Sequence, residues 1–159
     1  IGYSLVVNTK RTGDVKKFES NATSDSEYAA DTLAIINIVN ESMEIAGASC
    51  IYSGEAIEKS ESNEKIRQRY IPNGEGKATF NDGRYYQGSF VYGSMDGDNA
   101  YFVYPNGDTY EGSFKDNHFS KGTYTVKATG EQFTGTFDSY GQPKKGSWYD
   151  KNGNFLQSV

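Results

Sequence analysis

The ten residues Asn81–Phe90, NDGRYYQGSF, are followed by Pro105–Phe114, PNGDTYEGSF, and then by Ala128–Phe137, ATGEQFTGTF. Two glycines and two aromatic residues keep their places while everything between them varies. The turn glycines Gly83, Gly107, Gly130 and Gly153 are 24, 23 and 23 residues apart, and the second glycines Gly88, Gly112 and Gly135 keep the same step. Three residues after each turn glycine stands Tyr86, Tyr110, Phe133 or Leu156, and two after each second glycine stands Phe90, Phe114 or Phe137. A fixed step of this size marks an internal repeat, each copy being one supersecondary unit.

Each copy reads as strand, tight turn, strand. NDG, PNG and KNG suit a hairpin loop whose last residue takes a positive φ, open to glycine without steric cost. KATG carries one extra residue and predicts a wider loop. On the returning strand Tyr86, Gly88 and Phe90 share one face, because side chains alternate across a strand. The glycine leaves a slot between two rings, and a ring from a neighbouring strand is expected to lie flat in it. The outgoing strands offer Ala78 and Phe80, Phe102 and Tyr104, Tyr124 and Val126, and Trp148 and Asp150. A lone hairpin cannot bury such a face, so each unit needs its neighbours.

GKATFNDGRYYQGSF (Gly76–Phe90), YFVYPNGDTYEGSF (Tyr101–Phe114) and GTYTVKATGEQFTGTF (Gly122–Phe137) together resemble MORN repeats. The resemblance covers about 85 residues, Gly74 to Val159. It implies a mainly β fold: an antiparallel meander of about three to four stacked hairpins over residues 71–159, one end often closed by a helix. It also implies a non-catalytic binding or scaffolding module that takes a protein partner or self-associates. A phospholipid membrane is the secondary partner the family suggests, and the regulatory portion of a larger enzyme is a further context. The last unit departs from the pattern, with Leu156 and Ser158 where Tyr and Gly belong. At the front Tyr52, Gly54 and Ala56 imitate the motif, so residues 52–70 read either as a degenerate leading repeat or as a helix.

Residues 1–70 have a different texture and form an N-terminal α/β segment. Ala29, Leu33, Ile36, Met43 and Ala46 lie three, four or seven apart, which predicts a helix over about 25–46 that caps the sheet. Ser24 with Glu27 has capping-box spacing and Gly47 stands at the C-cap. Upstream, YSLVVNTK and VKKF flank RTGD as a hairpin or a helical stretch. The chain begins at Ile1, and an apolar IGYSLVV fits the tail of a leader or anchor and an extracytoplasmic location as well as it fits a simple chain boundary.

Composition narrows the chemistry. Only 35% of the residues are hydrophobic but 14% are aromatic, so rings must supply much of the core. Net charge is −5, with 8 basic against 11 acidic residues up to Tyr70 and 8 against 10 beyond it. Neither half offers the concentrated positive surface that nucleic acid requires. The same balance weighs against anionic lipid, leaving Lys144 and Lys145 as one local basic spot. Cys50 is the single cysteine and reads as a small buried side chain. His118 is the single histidine, in a connector without a second ligand, so no metal site of the usual kind forms around it. MDGDN (Met95–Asn99) begins like a calcium loop but lacks the later bidentate Glu, and GEGKATF lacks phosphate-loop spacing. No nucleophile stands beside a base, so no catalytic residue and no cofactor is expected.

Candidate surface residues come from the opposite face. Tyr85, Tyr101, Tyr149 and Phe155 alternate with the inward set, and Tyr92, Phe119 and Tyr140 recur in connectors. Rings not needed for the core suit an interaction surface, for a protein or for a glycan or extended peptide in an aromatic groove. The plain alternative is that they pack beneath the connectors.

Overall fold

The computed structural model describes residues 34–59 and 68–159. They form one antiparallel sheet whose strands follow one another in space as they do in sequence. The strands are β1 (Ile35–Ile45), β2 (Ala48–Glu58), β3 (Tyr70–Phe80), β4 (Tyr85–Val91), β5 (Ser94–Met95), β6 (Gly97–Val103), β7 (Thr109–Lys115), β8 (His118–Thr125), β9 (Gln132–Phe137), β10 (Pro143–Tyr149) and β11 (Phe155–Ser158). The two-residue β5 pairs only with β4, and the other ten run as a meander from β1 to β11. β2 pairs with β3, so the sheet runs on across residue 70.

The repeated turns behave as their sequences require. Gly83, Gly107 and Gly153 take φ of 99°, 92° and 85°. Each donates its N–H to the carbonyl three residues earlier, of Phe80, Tyr104 and Asp150. The KATG loop is wider, with Gly130 reaching back four residues to Val126.

The expected helix over 25–46 is corrected in its second half, where Ile35–Ile45 is a strand; its first half, and the YSLVVNTK/VKKF stretch, lie outside the described residues. The apparent helical period has a local cause. Asn40 takes a left-handed φ of 52°, and the register against β2 shifts between Ile38 and Glu41. That bulge changes the parity of the strand. Ile36 and Ile38 before it and Met43 and Ile45 after it therefore all reach the same core, and Ile36 to Met43 counts seven in sequence. Gly47 has the positive φ expected of a helix cap, 78°, but spends it with Ala46 (51°) in the β1–β2 hairpin turn.

Tyr52 and Gly54 act as a leading copy of the motif, since Tyr52 is fully buried and Gly54 pairs with Gly76. The pairing Gly76↔Gly88 continues the line. Ala100↔Gly112, Gly112↔Gly122, Gly122↔Gly135 and Gly135↔Gly146 complete a row of near-naked backbone across the sheet.

The cover over this row differs from the expectation. The nearest ring atoms come from the tyrosine two residues earlier on the returning strand rather than from the outgoing-strand residues. A Cβ added to Gly54, Gly88 or Gly112 would meet the hydroxyl of Tyr52, Tyr86 or Tyr110 at 2.9, 2.8 and 2.9 Å. The same rings also cover glycines on the neighbouring strand, Tyr52 over Gly76 and Tyr110 over Gly122. Each hydroxyl then donates to the carbonyl three residues on: Tyr52 to Glu55, Tyr86 to Ser89 at 2.6 Å, Tyr110 to Ser113 at 2.7 Å. A phenol laid along its own strand needs both a missing side chain beneath it and an acceptor at its tip, and Tyr-x-Gly-x supplies both.

The core is thus a ladder of rings on one face. Phe90 meets Tyr52 and Tyr86 edge-on with centroids 5.2 and 5.0 Å apart, and Phe114 meets Tyr86 and Tyr110 at 5.0 and 5.5 Å. Phe137 continues it to Phe133 at 5.2 Å. Edge-to-face contact at these separations is the favoured aromatic geometry.

Candidate functional site

Alternation places Tyr85, Gln87 and Ser89 of β4 opposite the ring core, and cross-strand pairing extends this outer face sideways. Tyr85 pairs with Val103, and Gln87 with Tyr101, which in turn pairs with Glu111. Tyr85 and Tyr101 are therefore diagonal neighbours. The Tyr85 hydroxyl donates to Gln87 Oε1 at 3.0 Å, and burial followed by the nearby Tyr101 phenol raises its pKa above the usual tyrosine value.

Tyr149 and Phe155 also meet, with centroids 6.2 Å apart and ring planes at 75°. They belong to β10 and β11, five strand steps from β4, which is roughly 24 Å at the usual strand spacing. The outer rings therefore make two separate patches. Tyr140 is 88% exposed at the β9–β10 turn, and Tyr92 projects from the β4–β5 turn with its backbone N–H held by Asn73 Oδ1 at 2.9 Å.

Phe119 belongs to neither patch, which corrects its place among the surface rings. It lies in β8 rather than in a connector and is 8% exposed, stacked on Tyr110 at 4.1 Å with ring planes 11° apart. The β7–β8 turn, Asp116 and Asn117 with φ of 47° and 70°, is two residues long, which pulls Phe119 into the ladder.

Sequence reading missed a channel on the outer face, polar toward β7 and largely apolar toward β1, where Ile38 and Val39 line it. Behind the glycine row, whose positions point toward the core, two adjoining clefts of about 580 and 430 Å³ share Glu75, Gln87 and Gly88. Around them stand Ser53 and Lys77 on one side and Asp98, Tyr101 and Glu111 on the other. Glu75 accepts from the Ser89 hydroxyl. The signal lay in the x of Tyr-x-Gly, which is Ser53, Gln87, Glu111 and Thr134 in successive units: an outer-face position of the motif that differs in every unit.

Among the described residues no three His, Cys, Asp or Glu side chains are gathered for a metal ion. His118 opens β8 in an exposed position opposite Lys115. Asp96, in the calcium-like stretch, accepts the backbone N–H of Asp116 at 3.1 Å. Cys50 is buried, and burial lifts its thiol to about 11, far from nucleophilic at neutral pH.

No protein-family model matches the chain, and no curated protein matches it either.

Proposed function

We propose that this chain is a non-catalytic binding module built of MORN-type hairpins, which recruits a protein partner or a second copy of itself through the sheet edge at β11. One observation carries the reading. Every inner strand from β2 to β9 buries at least one residue, whereas all four residues of β11 are exposed, and Phe155, Leu156 and Val159 are 59%, 47% and 50% accessible. The register also slips here, so that Gln157 rather than Leu156 stands opposite Trp148. Among the described residues only β10 pairs with β11, which leaves one row of its backbone groups open. An apolar edge strand of this kind is a template for a further strand.

The test is light scattering of the full chain together with a pull-down, repeated on Phe155→Glu/Leu156→Glu. Association that disappears in the variant, with Tm held within about 2 °C, supports the reading. A monomer that captures no partner overturns it, as does association that the double substitution leaves intact.

A further inference from the structure

We propose that the channel along the glycine row, on the outer face of β1 to β7, binds a neutral oligosaccharide lying across the strands. The channel is a second site, remote from the β11 edge and independent of what that edge does.

Its shape follows from the backbone. Gly54, Gly76, Gly88 and Gly112 line the two adjoining clefts; their positions point toward the ring core, so the row shows bare backbone on the outer face while the flanking rows carry side chains. Asn37 and Ser53 stand at one end and Glu111 at the other. A ligand following this line crosses β1, β2, β3, β4, β6 and β7 and meets a new row of side chains at each strand, every ~4.8 Å. That interval is close to the length of one pyranose residue.

The chemistry restricts the occupant. The floor strands β2, β3, β4 and β6 are each hydrogen-bonded to neighbours on both sides. Strand addition, the usual way of holding an extended peptide, is therefore closed here. Side chains therefore make the contacts: carboxylate acceptors at Glu75, Asp98 and Glu111, the Lys77 ammonium, and amides at Gln87 and Asn99, with Ile38 and Val39 giving the β1 end an apolar wall. Groups that both donate and accept along a line suit the paired hydroxyls of a sugar. Tyr101, 37% exposed beside them, offers a ring face for the apolar side of a pyranose. The Tyr85 hydroxyl bond to Gln87 Oε1 fixes that amide in advance, which lowers the ordering cost of binding. Three carboxylates against one ammonium repel phosphate, sulfate and uronate groups, so the sugar must be uncharged.

The full chain is titrated calorimetrically with cellohexaose, chitohexaose and, as a cationic competitor, hexalysine. One hexasaccharide is expected to bind, and Tyr101→Ala and Glu111→Gln are each expected to weaken it at least tenfold with Tm unchanged. Both side chains are exposed, and Glu111→Gln carries the test alone should Tyr101→Ala fail to fold. Absence of binding by both hexasaccharides at millimolar concentration overturns the proposal, as does binding that neither substitution affects. Binding of hexalysine alone overturns it in favour of a basic peptide. Loss of association in the β11 variant with sugar binding intact separates the two sites.

Discussion

Gly76 is the sharpest place to test the ring ladder, because nothing about its own backbone forbids a side chain. It is absent from the positive-φ residues, so alanine is conformationally allowed there. The obstacle is steric, and its nearest atoms all belong to Tyr52. A Cβ at position 76 would lie 2.5 Å from both Cζ and Cε1 of Tyr52. Ordinary carbon contacts need about 3.5–4.0 Å, so the ring must retreat by an ångström or more. Tyr52 is fully buried and its hydroxyl is engaged with the Glu55 carbonyl, so retreat means overpacking elsewhere and loss of that bond. Overpacking costs about 1–3 kcal/mol and the buried bond about 1 more, so Gly76→Ala is expected to destabilise by roughly 2–4 kcal/mol. Urea denaturation measures it as a fall in midpoint at unchanged m-value. The decisive comparison is the double mutant with Tyr52→Leu, whose side chain is too short to reach over position 76. The coupling is expected to be about 2 kcal/mol, with Gly76→Ala nearly neutral in the Tyr52→Leu background. Additivity within about 0.5 kcal/mol would refute the account and leave the glycine unexplained.

Three further outcomes follow from the same geometry. Tyr110→Phe removes a buried donor from the Ser113 carbonyl and is expected to cost about 1–2 kcal/mol by the same assay. The fold should survive, since Phe133 holds the matching place without a hydroxyl. Asp108 accepts from the Tyr124 hydroxyl at 2.6 Å and the Lys127 N–H at 2.9 Å, bonds that pull its pKa below the ordinary 3.8. A depressed folded pKa means the contribution is present above the unfolded value and is lost as pH falls through the folded one, so acid unfolding below about pH 4 should be less steep in Asp108→Asn. In alkali the sign reverses: burial raises Tyr110 to about 12, and burial also raises Tyr52, Tyr86 and Tyr124, so stability holds below pH 10 and falls above it. Tyrosinate absorbance should rise together with loss of the sheet in circular dichroism, and ionisation of these phenols while the sheet stays intact would contradict their burial.

The hairpins were legible because their cues are local. A turn glycine needs positive φ wherever it occurs, and four such glycines at a constant step define four turns without reference to the rest of the molecule. The β1 strand was not legible, because one left-handed residue, Asn40, shifts the alternation and makes a bulged strand imitate a helix. The source of the ring cover was also hidden, since Tyr86 on the same strand and Phe102 on the next both fit an empty slot. Only the hydroxyl bond to residue i+3 decides between them, and that bond depends on the shape of the backbone after the glycine. Phe119 shows the same limit at the surface. Its fate hinged on a two-residue turn of Asp116 and Asn117, neither of them a glycine. Tyr85 and Tyr101 were placed on the outer face by alternation alone, whereas the carboxylates and amides around them became neighbours only through the sheet register.

The order of the strands carries a last consequence. Among the described residues each strand from β1 to β11 packs mainly on the ones before and after it in the sheet, and no extensive contact joins the far ends. Such a molecule melts like a zipper. Amide exchange should run fastest at β11 and slow progressively toward the fully buried tyrosines, and a break in one unit should be felt by its neighbours and barely beyond them. Length then becomes an adjustable quantity: a hairpin inserted or deleted in register changes the reach of the sheet without redesigning any other part of it.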